Sequence, residues 1–253
     1  MIVAFVSYGN DSIALLQFLA ENEWENVVAL HSDTGWAAPW WKDRVADGEE
    51  YARHLGFRTE RTESVGMMDL VRSRKGWPRQ GMQFCTAELK ILPAVAWLEA
   101  NDPEAEAVCA VGIRRQESAA RSRWPEYQES DRHGGRELWS PLVRHTTEMR
   151  DDLIRRAGFN PLPHRSMECY PCVNANQIDL RALTDDRVAF IEQFENELGV
   201  TKNGKPRTMF RAGKKLGATG IRQVVAWAWN EHERDQLFLF GPGAGCDSGM
   251  CAE

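Results

Sequence analysis

Cysteines at close spacing are the most distinctive chemical groups of the chain. Cys169 and Cys172 form a C-x-x-C pair, and Cys85 lies in a separate segment. Thiolates at such spacing are typical ligands of a 4Fe-4S cluster, and four cysteines also suit a structural zinc ion. Cys246 and Cys251 lie in a glycine-rich stretch near the end. Either could be the fourth ligand, or a thiolate that acts as nucleophile or sulfur carrier.

A second signal is a turn that could bind an anion, Ser7-Tyr8-Gly9-Asn10-Asp11-Ser12. It follows an apolar run and precedes a helical pattern, so its N–H groups and the helix N-terminus would form a concave anion site. Gly9 permits close approach of the backbone, and Ser7 and Ser12 offer hydroxyl donors. Asp11 can cap the helix or hold Mg²⁺ against a phosphate. The alternative is a merely capped helix after a strand.

Two later turns carry residues of the same kind. Asp33 and Gly35 follow the second apolar run, where a carboxylate would face a nucleotide cleft and glycine would allow the turn. A further turn carries four residues suited to phosphate or sulfonate recognition: Gly112, Arg114, Glu117 and Arg121. Guanidinium groups donate bidentate bonds to such anions, and the carboxylate would orient one arginine. An ordinary turn and a solvated helix face are the alternatives.

Alternating strand and helix patterns must position these turns. Apolar runs predict strands at 2–6, 27–31, 57–62 and 105–111, and helical spacing predicts helices at 13–20, 40–55, 67–74 and 89–100. This order indicates βαβ units, hence an α/β fold with a twisted parallel sheet and helices on both faces. Ligands of such sheets bind at the carboxyl ends of the strands, where these turns lie. Cys109 falls inside an apolar strand, so we leave it out of the site.

The second half of the chain reads as mostly helical. Helices are predicted at 149–158, 185–198 and 221–232, whereas the polar, glycine-containing stretch 124–136 predicts a mobile surface loop. We therefore expect a nucleotide-binding α/β domain over residues 1–145. A helical C-terminal region over 146–253 would carry the C-x-x-C pair and the Gly/Cys tail.

Composition narrows the class of protein. The 253 residues are 43% hydrophobic and 27% charged, as in soluble globular proteins. The net charge of −6 argues against a general nucleic-acid coat protein. Basic residues nevertheless concentrate in one stretch without acidic residues: Lys202, Lys205, Arg207, Arg211, Lys214, Lys215 and Arg222. This stretch indicates either a solvated basic helix or a local phosphate or nucleic-acid contact.

The expected location is cytoplasmic, without a membrane. No run approaches the ~20 apolar residues of a membrane span. The start, Met1 to Val6, reads as a buried strand and not as a signal peptide. Because the cytosol keeps thiols reduced, the six cysteines are better candidates for metal ligands or catalysis than for disulfides.

The phosphate turn resembles the S-G-G-x-D-S signature of the PP-loop superfamily, with Tyr8 in place of the first glycine. His31-Ser32-Asp33-Thr34-Gly35 resembles its D-T-G motif, and residues 112–121 resemble its G-x-R-x-x-E-S-x-x-R segment. The family fold, that of adenine nucleotide alpha hydrolases, is the one predicted above. The resemblance implies binding of ATP or an adenylyl nucleotide, with Asp11 and Ser12 in catalysis.

The cysteine segments resemble two branches of this superfamily. Assimilatory adenylylsulfate reductases, within the phosphoadenosine phosphosulfate reductase-like group, combine a Cys-Cys pair and a K-x-x-P segment with a later C-x-x-C; here Thr86 replaces the second cysteine. The form C-T-x-x-L-K-x-x-P, from Cys85 through Lys90 to Pro93, is closer to the DndC-like iron–sulfur proteins of DNA phosphorothioation and their phage relatives. The likeness covers about residues 1–175, and it implies a catalytic role for Lys90 and a 4Fe-4S cluster.

Three functions follow as expectations. The first is an ATP- and Mg²⁺-using sulfurtransferase that adenylylates an acceptor, which could be DNA, tRNA or a small molecule, and takes sulfur from a donor protein. The second is a sulfonucleotide reductase that releases sulfite with a thiol reductant. The third is a non-catalytic nucleotide-binding module with a structural metal. Retention of Asp11 and Ser12 favours the first, whereas the absence of an E-C-G-[LI]-H context around Cys246 and Cys251 weakens the second.

Overall fold

A computed structural model describes residues 1–211 and 217–230. These residues form two compact units, each built from two chain segments. The first unit contains residues 1–66 and 86–169. The second contains residues 67–85 together with the described part of 170–244.

One six-stranded sheet organises the first unit. Its strands are β1 (Ile2–Val6), β2 (Val27–Ser32), β3 (Arg58–Thr62), β4 (Val108–Ala110), β5 (Tyr127–Ser130) and β6 (Arg136–Trp139). They are ordered β3-β2-β1-β4-β6-β5, with β5 antiparallel to β6 and every other pair parallel. The register of the central pair places Val6 opposite His31, so β1 and β2 end at the same edge of the sheet.

Helices connect the strands and extend the second unit. They are α1 (Asn10–Glu21), α2 (Trp41–His54), α3 (Met67–Arg74), α4 (Phe84–Thr86), α5 (Leu92–Asn101), α6 (Thr147–Arg156), α7 (Gln177–Arg181), α8 (Asp185–Leu198) and α9 (Ile221–Trp229). Every residue of β1 is buried, which requires cover on both faces of the sheet. On one face, Ala94 and Leu98 of α5 pack against Val3 and Phe5. The mostly parallel α/β fold with a helical C-terminal region is confirmed.

The prediction of a mobile loop over 124–136 was wrong. Residues 127–130 and 136–139 form β5 and β6, an antiparallel hairpin at the end of the sheet. The pattern misled because β5 is an edge strand whose four side chains are exposed or half-buried, so it can be polar throughout. Cross-strand pairing with β6 and stacking of Tyr127 on Trp139 at 6.0 Å form the strand, without any apolar run.

The second unit contains α3, α7, α8 and α9. The buried carboxylate of Glu195, on α8, accepts hydrogen bonds from the backbone N–H groups of Met209 (2.8 Å) and Ile221 (3.0 Å). Glu195 thereby fixes both the loop before residue 211 and the start of α9. Burial raises the pKa of this carboxyl group, and these two hydrogen bonds oppose the rise. Among residues 1–211 and 217–230, no helix has the length and apolar character needed to cross a bilayer.

Candidate functional site

The turn from Ser7 to Ser12 lies at the carboxyl end of β1, where a parallel sheet binds its ligands. Ser7, Asp11 and Ser12 are each at most 2% exposed. The N–H of Ser7 donates to the Ser12 hydroxyl at 3.0 Å, which closes the turn on the first turn of α1. N–H groups in the first turn of a helix have no partner within the helix, so α1 presents them to an anion.

Tyr8 has an unusual backbone conformation inside this turn. Its φ is +57°, in the left-handed region that glycine adopts freely and other residues adopt at a cost of about 1–3 kcal/mol. The ring is fully buried, lies against Gly48 of α2, and has its centroid 5.6 Å from that of His31. Packing of the aromatic ring therefore holds the backbone where the family signature has a glycine.

The Tyr8 hydroxyl is buried and has no hydrogen-bond partner within residues 1–211 and 217–230. Burial raises the pKa of this phenol, and the nearby carboxylate of Glu49 adds to the rise, so the group stays neutral. Because an unsatisfied buried hydroxyl costs about 1–3 kcal/mol, Tyr8→Phe is expected to leave the free energy of unfolding unchanged or to raise it by about 1 kcal/mol. Chemical denaturation measures the change.

Tyr170 provides the matched control for that substitution. Its hydroxyl donates to the Ala182 carbonyl at 2.9 Å and accepts from the Thr184 N–H at 3.0 Å. Tyr170→Phe is therefore expected to lower the free energy of unfolding by about 1–2 kcal/mol. A loss above about 1 kcal/mol for Tyr8→Phe would show that the Tyr8 hydroxyl has a partner after all.

Two side chains of α2 hold the carbonyl groups of the turn. The indole N–H of Trp41 donates to the Ser7 carbonyl at 3.1 Å, and Nε of Arg44 donates to the Tyr8 carbonyl at 3.0 Å. These bonds satisfy oxygens that would otherwise repel a phosphate. The turn therefore offers N–H groups and keeps its carbonyl groups paired with protein.

Asp11 forms an ion pair with Arg114, which lies 103 residues later in the chain. Its Oδ1 accepts from Nε of Arg114 at 2.5 Å, and both side chains are at most 5% exposed. The N-cap residue of α1 is Gly9, which has no side chain to cap the helix, and Asp11 in the first turn serves this ion pair. Gly112 makes the approach possible, because a Cβ there would lie 2.9 Å from the Asp11 carbonyl oxygen.

This ion pair has spare hydrogen-bonding capacity. Asp11 Oδ2 and Arg114 Nη1 are buried, and neither has a hydrogen-bond partner in the described part of the chain. Buried charged groups rarely go unsatisfied, so these atoms fit a polar ligand such as a metal ion or a phosphate oxygen. Beyond Arg114, a short 3₁₀ turn places Glu117 in an ion pair with Arg121, and that carboxylate fixes the orientation of the guanidinium.

Asp33 and Gly35 follow β2 at the same edge of the sheet. Asp33 is exposed, and its Oδ1 accepts from the Gly35 N–H at 2.8 Å. Gly35 has φ +61°, so this turn does use the conformational freedom of glycine. Between them Thr34 is buried, with its hydroxyl 2.8 Å from the Glu168 carbonyl oxygen to which it donates.

A segment that we call the clamp, residues 160–169, lies against both turns. The Asn10 side chain exchanges two hydrogen bonds with the backbone of Leu162, at 2.9 and 2.8 Å. Ser166 packs on Gly9 so closely that a Cβ on Gly9 would lie 2.9 Å from Ser166 Cβ. The Ala38 N–H donates to the Met167 carbonyl at 2.9 Å.

Glu168 ends the clamp with a buried carboxylate. Its Oε1 accepts from the Thr34 N–H at 3.0 Å, and its Oε2 lies 3.4 Å from Nε2 of His31. The Nδ1 of His31 lies 3.0 Å from the Val6 carbonyl oxygen. Cys169 follows Glu168 directly, so its backbone is fixed beside the carboxyl end of β2.

Lys90 lies in a π-helical turn, Ala87–Ile91, that precedes α5. The N–H of Leu92 donates to the Ala87 carbonyl, five residues back, and Pro93 follows with no N–H to continue the ordinary ladder. Lys90 is 4% exposed. Turns of this kind are frequent at functional sites, and a buried lysine is almost always paired with another group.

The cysteines divide into two groups. Cys85, Cys169 and Cys172 are half-buried and form no disulfide, whereas Cys109 is fully buried in β4, where burial raises its pKa to about 12 and makes it inert. Within residues 1–211 and 217–230, no group of three or more His, Cys, Asp or Glu residues is arranged to hold a metal ion. Cys246 and Cys251 lie outside the described residues.

Sequence reasoning missed the groups that support the motifs. Trp41, Arg44 and Glu168 contact the turns, yet none belongs to a motif recognised in the sequence. Glu168 offered one signal, since it directly precedes the C-x-x-C pair. The other two lie on an amphipathic helix and give no local signal.

The chain is similar to several known proteins. The phosphoadenosine phosphosulfate reductase domain matches residues 1–174. An uncharacterised 37.8 kDa protein in the gpa 5′ region of Escherichia phage 186 is 26% identical over 252 residues, covering 88% of this chain and 70% of the relative. The crystal structure of phosphoadenylyl-sulfate reductase from Candida auris in complex with phosphate aligns with a TM-score of 0.46 and 13% identity, covering 64% of this chain and 75% of that one. The match over residues 1–174 shows that the chain belongs to the phosphoadenosine phosphosulfate reductase domain family.

Proposed function

We propose that the chain is a PP-loop sulfurtransferase that uses ATP to activate an oxygen of an acceptor for replacement by sulfur. Family membership supports the coarser class, an enzyme of the PP-loop or sulfonucleotide reductase type. The observation that carries the finer proposal is the buried Asp11–Arg114 pair, whose Oδ2 and Nη1 atoms lack partners among the described residues. A triphosphate with Mg²⁺ supplies both an electrophile for the carboxylate oxygen and acceptors for the guanidinium.

The residues of the first unit have separate roles in this proposal. The first turn of α1 binds phosphate oxygens through its N–H groups, with Ser7, Gly9 and Ser12 shaping the turn. Asp11 holds Mg²⁺, Arg114 contacts the phosphates, and Glu117 orients Arg121 toward the same charge. Asp33 and Gly35 form the neighbouring wall, and Lys90 offsets negative charge as pyrophosphate leaves. Gly112 keeps α1 close to β4.

The chemistry occurs in three displacements. The acceptor oxygen attacks the α-phosphorus of ATP, the bond to the β-phosphate breaks, and pyrophosphate leaves with the electron pair. A thiol reductant attacks the inner sulfur of a donor protein's persulfide, forming a disulfide and releasing hydrosulfide. The hydrosulfide then attacks the atom that bears the adenylylated oxygen. That carbon– or phosphorus–oxygen bond breaks, and AMP leaves with its electrons. Activation converts a poor leaving group into a good one, which is the logic of covalent catalysis.

Cys85, Cys169 and Cys172 are the proposed ligands of a 4Fe-4S cluster, with Cys246 or Cys251 as fourth ligand or as sulfur carrier. The three half-buried thiols fit the group by chemistry, since iron–sulfur clusters are held by cysteine thiolates. When bound, the cluster would supply an iron site for a sulfur species. A structural zinc ion is the alternative occupant of the same thiols.

A sulfonucleotide reductase is the second candidate, and the family match favours it. In that reaction a thiolate, from Cys246 or Cys251, attacks the sulfur of an adenylyl sulfate and the nucleotide leaves. A thiol reductant then attacks the cysteine sulfur and releases sulfite. The substrate carries no pyrophosphate to be released, so the fate of ATP separates the two functions.

One preparation tests both functions. Protein purified without oxygen is incubated with ATP, Mg²⁺, sulfide and a candidate acceptor (DNA, tRNA or a small molecule), and pyrophosphate and AMP are quantified. A parallel sample receives adenylyl sulfates and a dithiol, and sulfite is quantified. Pyrophosphate with no sulfite is the result expected for the sulfurtransferase. Sulfite release without ATP binding in calorimetry would assign the reductase instead.

Metal analysis of the same protein is a separate prediction. We expect a brown protein with about four iron and four acid-labile sulfide per chain, and Cys172→Ser should lose most of the iron because it removes one thiolate of the C-x-x-C pair. Cys109→Ala is the control and should keep its iron, since Cys109 is buried in β4. Stoichiometric zinc without sulfide would contradict the cluster.

A further inference from the structure

A cavity of about 300 Å³ lies within the second unit, lined mainly by two stretches of chain together with Val173 and Thr201. One is the stretch 75–80 that follows α3, and the other is 207–211, which precedes the undescribed residues 212–216. Four wall residues are cationic: Lys75, Arg79, Arg207 and Arg211. Among the described residues, no aspartate or glutamate contributes to the wall, so this cavity, which we call the basic cavity, is strongly positive.

The wall cations are not neutralised by ion pairs. Within residues 1–211 and 217–230, none of the four forms a salt bridge, whereas their neighbours do. Arg72 on α3 pairs with Glu197 at 2.7 Å, and Arg222 on α9 pairs with Glu192 at 2.6 Å. The unit therefore neutralises the arginines beside the basic cavity and leaves those in its wall without a counter-charge.

Neutral acceptors hold the wall arginines in place. Arg79 Nη2 lies 2.9 Å from the Met82 sulfur, Arg207 Nη1 donates to the Leu198 carbonyl at 3.0 Å, and Arg211 Nη2 donates to the Pro206 carbonyl at 2.9 Å. Each guanidinium keeps its full charge and several free N–H groups in such a contact. Arg207 Nε and the hydroxyl of Thr208, another wall residue, are buried and have no partner among the described residues.

Lys75 also has an unfavourable backbone conformation. Its φ is +51°, directly after the end of α3, where glycine is the usual residue. A glycine is available one position later, at Gly76. A non-glycine residue in this conformation costs about 1 kcal/mol or more, and such positions cluster at ligand sites.

We propose that the basic cavity is a binding site for a phosphate group, carried either by a nucleic-acid strand or by a free phosphorylated small molecule. Guanidinium groups without carboxylate partners are the side chains best suited to phosphate oxygens, which they bind bidentately. The basic cavity belongs to the second unit, whereas the turn from Ser7 to Ser12 belongs to the first, and the proposal does not depend on the proposed function. The wall also includes Val173, next to Cys172, so the bound phosphate would lie beside the C-x-x-C segment.

Binding to labelled oligonucleotides tests whether the bound phosphate belongs to a nucleic-acid strand. Fluorescence anisotropy is measured with a short single-stranded DNA at several salt concentrations, for the full chain and for the variant Arg79→Gln/Arg211→Gln. Removing two phosphate contacts should weaken binding about tenfold or more and lower the slope of log affinity against log salt by about 1.5. Both arginines are exposed, and thermal melting checks that the variant remains folded.

Arg222→Gln is the matched control. Arg222 belongs to the same basic stretch and the same unit, but it lies outside the wall and is paired with Glu192. Its removal should change affinity less than about twofold. A loss as large as that of the wall variant would mean that DNA binds by overall charge, and it would overturn the site.

Small phosphates test whether the bound phosphate belongs to a free phosphorylated molecule instead. Titrations with inorganic phosphate, pyrophosphate and AMP, followed by ³¹P NMR, are run on the same two variants. Binding of a small phosphate that needs Arg79 and Arg211, with no such dependence for DNA, assigns the cavity to a free phosphorylated molecule. If neither DNA nor any small phosphate depends on the wall arginines, the proposal fails.

Discussion

Arg114→Met is expected to lower the free energy of unfolding by about 3–5 kcal/mol, the cost of leaving a buried charge without its partner. Asp11 is fully buried, and Arg114 Nε is its one hydrogen-bond donor among the described side chains. Methionine fills much of the arginine volume, so the loss would come from charge and not from a cavity. Denaturant titration followed by circular dichroism measures it.

Two further variants distinguish the loss of the ion pair from the general effect of removing an arginine. Arg144→Met removes an exposed arginine that lies 3.9 Å from Glu126, and it should stay within about 0.5 kcal/mol of the native protein. The double variant Asp11→Asn/Arg114→Met should lose less than the sum of its single changes, because it removes both charges. If Arg114→Met loses under about 1 kcal/mol, the buried pair does not stabilise the fold.

The same pair limits how catalysis can be tested. A substitution of Asp11 alone leaves the Arg114 guanidinium buried without its carboxylate, so lost turnover would mix lost chemistry with lost stability. One oxygen of the Asp11 carboxylate, Oδ1, is already bound by Arg114. Turnover of Asp11→Asn is therefore interpretable only beside its denaturation curve.

Gly48→Ala is expected to destabilise the protein by about 2 kcal/mol or more, although alanine is the better helix former by about 1 kcal/mol. The added Cβ would lie 2.2 Å from Cδ1 and 2.6 Å from Cγ of Tyr8. The ring is fully buried, with His31 also in contact, so it cannot move aside without shifting the phosphate turn. Thermal and chemical denaturation report the loss.

If the clash with the Tyr8 ring is the cause, the effects of Gly48→Ala and Tyr8→Gly on stability should not be additive. In the Tyr8→Gly background the ring is gone, and Gly48→Ala should then be neutral or stabilising by up to about 1 kcal/mol. Glu50→Ala, at an exposed position of the same helix, should change stability by less than about 0.5 kcal/mol in either background. Equal losses for Gly48→Ala in both backgrounds would exclude the ring as the cause.

Much of the sheet could be predicted because its strands are apolar runs that end in polar turns. The turns after β1, β2 and β4 lie where the pattern put them, and Gly35 adopts the positive φ that a glycine turn indicates. The long amphipathic helix α8 was predicted with its observed bounds, residues 185–198. Such elements depend on local periodicity, which a sequence displays directly.

The remaining features depend on partners far away in the chain. Arg114 meets Asp11 across 103 residues, and Asn10 meets Leu162 across 152. Strand β5 has no apolar pattern and forms through its neighbour. Left-handed Tyr8 is stabilised by Gly48, forty positions on, so neither residue alone predicts the other. Long-range pairing of this kind leaves no periodic signal in a single sequence.

The clamp has a consequence for the chain length that this fold tolerates. Leu162, Ser166, Met167 and Glu168 each contact a different residue of the phosphate turn or of the stretch after β2, so four of seven consecutive positions are tethered. A tethered stretch has no slack to absorb an extra residue, which would advance the chain by about 3.5 Å. Insertions just before Cys169 would thus displace this cysteine from its place beside the carboxyl end of β2. These contacts limit the number of residues that can separate the turn at Ser7–Ser12 from Cys169, the first cysteine of the pair.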